Sequence, residues 1–140
     1  MKNCPGCNAV FDGHRWVPEP GEDLLRSARE KGLERKSCPG CVMVERGQVE
    51  GVVTLRGGFL KQHFEEVENL VNRVARTGRQ RNVTARVLDE KKDGAEYVIQ
   101  TTDTHLAERI GKEMEKAFKG NLDIKWQEKD SFVRVSWHRD

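Results

Sequence analysis

The tetrapeptide Cys4-Pro5-Gly6-Cys7 returns unchanged as Cys38-Pro39-Gly40-Cys41, and these two motifs contain all four cysteines of the 140-residue chain. A Cys-x-x-Cys turn directs both sulfur atoms into one hollow, and its Pro-Gly supplies a fixed φ and then a residue that tolerates positive φ. Two such turns are the usual way to place four thiolates tetrahedrally around one zinc ion, with Zn–S bonds of about 2.3 Å. The sequence therefore predicts a zinc ribbon with one Zn²⁺ per chain, held by Cys4, Cys7, Cys38 and Cys41.

Other uses of the cysteines are rarer at this spacing. Four thiolates also bind iron, two disulfides would suit a secreted protein, and a single Cys-x-x-Cys can be a redox dithiol. A redox motif usually lies between a buried strand and a helix, and Cys4 has three residues before it. Residues 1–4 open no apolar signal segment, so we expect a cytoplasmic protein with reduced thiols. His14 is the only further ligand candidate nearby, and four cysteines already complete the site.

Composition and pattern divide the chain into a zinc-ribbon module at 1–47 and an α/β domain at 51–140. Hydrophobic residues make up 36% and charged residues 34%, and no apolar run approaches the length of a membrane span. Between the cysteine motifs, residues 9–17 predict a hairpin turning at Asp12-Gly13, and residues 22–32 predict a short helix.

After residue 50, segments in which every second residue is apolar, as in strands, alternate with segments in which apolar residues recur about every 3.6 positions, as in helices. A strand at 52–55 ends at Gly57-Gly58, and a helix from Phe59 to about Arg76 is closed by Gly78. Alternation at Val83, Ala85 and Val87 and at 97–101 predicts a hairpin that turns at 91–94. Asp103 caps a second helix that ends at Gly120, and a second hairpin follows, turning at Lys129-Asp130.

The predicted order is thus β-α-β-β-α-β-β. We interpret it as an α+β protein in which the zinc ribbon precedes a ferredoxin-like split β-α-β sandwich with one additional strand. Both helices should cover one sheet face, which leaves the other face available for a protein partner.

Five arginines lie between Asn69 and Leu88, a stretch without a single aspartate or glutamate. The arginine guanidinium suits phosphate because it donates two parallel hydrogen bonds. Basic residues near a helix C-terminus also complement the helix dipole, and this simpler interpretation stays open. The formal net charge is only +2, so the argument rests on the local cluster. Its members are Arg73, Arg76, Arg79, Arg81 and Arg86.

Catalytic motifs are absent from the sequence. His63 and His105 lie in predicted helices, but no motif places a cysteine or serine nucleophile beside either of them. Glycine-rich phosphate loops of the Gly-x-Gly-x-x-Gly and Walker A types are missing too. We therefore expect a protein that is not an enzyme, and a redox or metal-handling enzyme is the weakest of three hypotheses.

The motifs together resemble a known family. Two Cys-x-x-Cys knuckles, the segment Gly51-Val52-Val53-Thr54-Leu55-Arg56-Gly57 before a helix, the segment Thr101 to Gly111 and a terminal hairpin are similar to the small bacterial NMD proteins affecting ribosome stability and mRNA decay. These proteins look like a shortened form of the archaeal and eukaryotic NMD-type adaptor of the large ribosomal subunit. The resemblance covers nearly the whole chain, although the adaptor has more cysteines and additional domains.

The resemblance implies zinc ligation by the four cysteines, binding to the large ribosomal subunit or its RNA, and a contact role for Arg56. Together with the five arginines, and with Trp16 as a stacking platform for an unpaired base, it leads to the primary hypothesis of a zinc-ribbon protein that docks on ribosomal RNA. The alternative is a protein-protein interaction adaptor without nucleic-acid contact.

Overall fold

The computed structural model describes all residues from Met1 to Asp140 as an α+β protein with four helices and two mixed sheets, one of four strands and one of five. The predicted α+β class is confirmed. No helix combines the length and the apolar character needed to cross a membrane.

The first 45 residues fold around short elements. The predicted hairpin is present, and its turn is closed by the Asp12 carboxylate, which accepts the backbone N–H groups of His14 and Arg15 at 2.8 and 2.9 Å. The elements are β1 (Lys2–Asn3), β2 (Val10–Phe11), β3 (Trp16–Val17), α1 (Glu22–Lys31), β4 (Glu34–Arg35) and α2 (Pro39–Glu45). The strands pair in the order β3-β2-β1-β4.

The second cysteine motif does not form the simple turn that the sequence predicted, because it begins helix α2. Cys38 is the N-cap residue, with Pro39 at the first helical position, where its missing N–H costs nothing. The Cys38 sulfur accepts the backbone N–H of Cys41 at 3.4 Å. Two cysteines therefore come from a turn and two from the first turn of a helix.

The remaining residues form a five-stranded sheet with two helices on one face. The elements are β5 (Gly51–Arg56), α3 (Gly58–Arg81), β6 (Val87–Asp93), β7 (Glu96–Thr101), α4 (Thr104–Phe118), β8 (Asn121–Gln127) and β9 (Phe132–His138). The predicted cap of α4 is present, since the Asp103 carboxylate accepts the backbone N–H of His105 at 3.1 Å.

The strand order is β6-β7-β5-β9-β8, with β5 and β9 parallel and the other neighbours antiparallel. A split β-α-β unit would place the strand after α4 directly beside β5. Here the last strand, β9, occupies that position and β8 lies at the edge. The specific ferredoxin-like topology is therefore not confirmed.

Three predicted boundaries are wrong. Helix α3 does not end at Gly78 but continues to Arg81, because it packs along α4 and Gly78 gives room to the Leu106 side chain. The strand predicted from Val83 begins at Val87 and continues through Asp93. The hairpin therefore turns at Gly94-Ala95 and not at 91–94 as predicted. Residues 82–86 instead form a connecting loop, which contacts the cysteine cluster through Val83 and Arg86.

One hydrophobic core lies between the helices and the sheet. The alternating residues of β7 and β9 point into it, and Trp137, Ile99 and Val133 are almost fully buried. The opposite sheet face carries mainly polar side chains around Val52 and Val98, which pair with neighbouring strands in register. The helices therefore leave one face of the sheet uncovered, as predicted.

Candidate metal centre and arginine surface

The four cysteines meet at one point, with all four sulfur atoms within 4.8 Å of one another. Cys4 and Cys38 are buried, whereas Cys7 and Cys41 are partly exposed. The sulfurs of Cys7 and Cys38 are 3.6 Å apart, far beyond the S–S bond length of about 2.05 Å, and all four cysteines are free. A tetrahedral ion with bonds of about 2.3 Å would separate its sulfur ligands by about 3.8 Å. The cluster could therefore chelate one metal ion.

The surroundings of the four cysteines change how readily each thiol ionises. Burial raises the pKa of Cys38 to about 12 and also raises that of Cys41. For Cys4, burial opposes ionisation but hydrogen bonds from backbone N–H groups outweigh it and lower the pKa to about 6. The largest of these comes from Cys38, whose N–H donates to the Cys4 sulfur at 3.2 Å. Four thiolates cannot share this space without a positive ion to compensate them.

A guanidinium from the other half of the chain contacts this cluster. Arg86 Nη2 donates to the sulfurs of Cys7 and Cys38 at 3.3 and 3.4 Å, and Nη1 donates to Cys41 at 3.7 Å. Burial alone would lower the pKa of Arg86, but the hydrogen bonds to Cys7 and Cys41 raise it, so the group stays charged. Arg86 thus directs its donors at the sulfurs, which removes it from the predicted phosphate-binding surface.

The loop before β6 packs against the same cluster. Val83 belongs to a small apolar group with Cys4, Ala9 and Cys38. Its carbonyl oxygen accepts a hydrogen bond from Arg86 Nε at 2.8 Å. Val83 is therefore apolar because it is buried against the metal module, and not because it belongs to a strand.

Two further arginines of the predicted cluster lie near that module at a different place. The Glu19 carboxylate accepts a hydrogen bond from Gln80 at 2.9 Å and lies 3.6 Å from Arg76 Nε. The bond from Gln80, together with the charges of Arg76 and Arg79, lowers the pKa of Glu19. Both ion-pair partners are well exposed, with 73% of the Arg76 side chain accessible.

Arg73 and Arg81 line a cleft between α3 and α4. The cavity measures about 380 Å³ and is also lined by Arg109 and His105. None of the three arginines has a carboxylate oxygen within 4.0 Å. Asp103 and Glu113 lie at the same cleft, and the Asp103 carboxylate is engaged in capping α4. Sequence reasoning missed Arg109 because α4 brings it to the cleft from a distant part of the chain.

Trp16 lies on the metal module, apart from that cleft. Its ring packs against the cysteine cluster and lies 5.6 Å from the ring of Phe11. Both aromatic rings line a shallow groove that also contains Lys2 and Lys36. Aromatic rings beside lysines are a combination that suits unpaired bases and their phosphates.

The other candidate residues are dispersed. Arg56 ends β5, where its Nε is 2.9 Å from a Glu96 carboxylate oxygen, at the opposite end of that strand from the residues near the metal module. His63 interrupts the helical geometry of α3, stacks on Phe59 and contacts Glu66. His14 is an exposed residue of the hairpin turn and is not one of the clustered ligands.

No protein-family model, no curated protein and no solved structure matches the chain. The resemblance to NMD-type proteins therefore stays a prediction.

Proposed function

We propose that this protein is a non-enzymatic zinc protein of the cytoplasm that binds ribosomal RNA, in the large ribosomal subunit, through the cleft between α3 and α4. The observation that carries the proposal is the set of three guanidinium groups that line one cleft with no carboxylate oxygen within 4.0 Å, those of Arg73, Arg81 and Arg109. Guanidinium groups that lack an internal partner are free to bind phosphate oxygens.

Zinc is the proposed metal because four thiolates around a single ion are typical of structural zinc sites. Mononuclear iron is the alternative for the same donor set. All four ligand positions would be filled by cysteine, which leaves no open coordination site for a substrate. The metal would thus hold the first 45 residues in shape and take no part in a reaction.

The RNA contact would be mainly electrostatic and independent of sequence. Arg73 and Arg81 lie eight residues apart on α3, and Arg109 lies on α4, so the three charges line the same cleft. The groove beside Trp16 would accept an unpaired base, with Lys2 and Lys36 near its phosphates.

The test is co-sedimentation of the zinc-loaded protein with purified large ribosomal subunits at increasing salt. Binding should weaken steeply with salt, and the variant R73M/R81M should reduce the slope of log K against log salt by about 0.7 for each lost phosphate contact. Arg134→Met is the matched control, because Arg134 lies on β9 and outside the cleft. Salt-independent binding, or no binding to subunits, would contradict the proposal.

A protein-protein adaptor is the second candidate, and the uncovered sheet face favours it. Val52 and Val98 lie in the middle of that face among polar side chains. Nuclease treatment of a complex purified from cells separates the two functions, since an RNA-mediated complex dissolves. A complex that survives nuclease, yet is lost when Val52 is replaced by lysine, would support the adaptor instead.

A further inference from the structure

We propose that Arg86 is an outer-shell partner of the metal centre, contributed by the α/β part of the chain, so that metal binding fixes residues 1–45 and residues 51–140 as one rigid body. This junction between the two parts does not depend on RNA binding.

Hydrogen bonds within the α/β part hold Arg86 in position. Its backbone N–H donates to Thr102 Oγ1 at 3.0 Å, and its carbonyl accepts the Thr102 N–H at 2.9 Å. Thr102 is fully buried, and its hydroxyl also donates to the Thr84 carbonyl at 2.6 Å. The Nε bond to the Val83 carbonyl then fixes the direction of the guanidinium. Hydrogen bonds thus hold both the backbone and the side chain of Arg86, and the loop presents its guanidinium to the cysteines.

The charge of the centre explains why a cation is placed there. A divalent ion bound by four thiolates leaves an excess of about two negative charges, partly buried. The Arg86 guanidinium lies within hydrogen-bond distance of three of the four sulfurs and neutralises part of that excess. Outer-shell donors of this kind orient the ligands and tune the metal affinity.

The other polar contact between the two parts is weak. Glu19 meets Arg76 and Gln80 at the surface, and exposed ion pairs contribute little to stability. The junction therefore rests on Arg86, on Val83 against Cys4 and Cys38, and on the cluster geometry that the metal maintains. A bound metal ion would hold the sulfurs as a fixed set of acceptors for the guanidinium.

The first test is zinc affinity, measured by competition with a chromogenic chelator on the full chain. Arg86→Met keeps the length of the side chain but removes its charge and donors, and should weaken zinc binding by about 10–100-fold. Arg86→Lys keeps the charge but cannot donate to three sulfurs, so its zinc affinity should lie between that of the wild type and that of Arg86→Met. Arg134→Met serves as the control and should bind zinc as the wild type does.

The second test is the relative motion of the two parts, measured by ¹⁵N relaxation. In the zinc-loaded wild type, both parts should tumble with one rotational correlation time. Zinc-saturated Arg86→Met should show two correlation times, one for each folded part. In the metal-free wild type, residues 1–45 should lose their dispersed signals, while the α/β part retains its dispersed spectrum. If Arg86→Met misfolds, Arg86→Lys provides the same comparison. Zinc affinity within twofold of wild type in both variants, together with one correlation time throughout, would overturn the proposal.

Discussion

Gly40 lies so close to the carbonyl oxygen of Val83 that a β-carbon at residue 40 would overlap with it. The glycine belongs to the second cysteine motif, at the start of α2, and the carbonyl belongs to the loop that precedes β6. This contact joins the two parts of the chain at backbone level, directly beside the cysteine cluster. The glycine of the second Cys-x-x-Cys motif therefore has a packing function at the start of α2.

We predict that Gly40→Ala loosens this junction. The methyl group would meet backbone atoms, which cannot rotate away, so the two parts must shift apart at a cost of about 1–3 kcal/mol. The expected result is a lower thermal unfolding midpoint and weaker zinc retention. Gly58→Ala is the matched control, because its nearest neighbour would lie at an ordinary 3.7 Å. Equal midpoints and equal zinc retention in the two variants would contradict the prediction.

Metal removal should unfold the first part of the chain and spare the second. Few residues before Gly51 are buried, among them Ala9, Val10 and Ala28, so a small apolar core has to be supplemented by metal binding. The 17-residue core of the α/β part does not include the cysteines.

The readout is tryptophan fluorescence during titration with a strong chelator. Trp16 packs against the cluster, so its emission should move to longer wavelength as it becomes exposed. Trp16→Phe should remove that change, since Trp126 and Trp137 lie in the α/β part. A change that persists in Trp16→Phe would show that metal loss disturbs the sheet as well.

Local signals predicted most of the individual elements. Alternation at 97–101 gave β7, and the position of Asp103 before an apolar stripe gave the start of α4. Cys38-Pro39 also contains a helix-start signal, a proline at the first helical position. The prediction assigned these residues only to the metal motif and missed the helix. Elements set by neighbouring residues are therefore visible in a sequence.

Features that depend on distant pairing could not be predicted. Whether β8 or β9 pairs with β5 is decided across more than 60 residues, and both strands show the same apolar alternation. Five arginines form one cluster in the sequence, yet the fold divides them among the cleft, Glu19 and the cysteines. The partner of Arg86 lies 45 to 79 residues away, so no local pattern could identify it.

The glycine in the middle of α4 allows a close helix-sheet contact. A β-carbon on Gly111 would overlap with the Val135 side chain on β9 and lie 2.9 Å from that of Leu122 on β8. We predict that Gly111→Ala destabilises the protein, although alanine is favoured over glycine in a helix by about 1 kcal/mol. Overpacking typically costs about 1–3 kcal/mol and should offset that gain or exceed it.

The measurement for Gly111→Ala is urea unfolding at equilibrium, compared with Gly58→Ala at the start of α3. Pairing it with Val135→Ala in a double variant adds a sharper control, because the smaller partner makes room for the methyl group. The double variant should recover part of the loss. Additive losses in the double variant would show that the contact with Val135 is not the cause.

Tyr97 is the only tyrosine of the chain, and its hydroxyl should resist ionisation in the folded protein. Burial raises its pKa well above the ordinary value of 10, and the nearby negative charge of Glu90 adds to this effect. The ring packs edge-on against Phe64 at 5.0 Å and is only 2% exposed. Folded molecules therefore keep this proton at a pH where unfolded molecules release it.

The consequence for stability has a definite sign. The folded pKa is raised, so the contribution of Tyr97 is constant below about pH 10 and is lost as the pH rises above that value, by at most about 1.4 kcal/mol per pH unit. In an alkaline titration, the tyrosinate absorbance should appear together with the loss of helical circular dichroism. Tyr97→Phe should lack that absorbance, and its unfolding free energy should depend less on pH above 10. Tyrosinate that forms near pH 10 while the helices persist would contradict the burial of this hydroxyl.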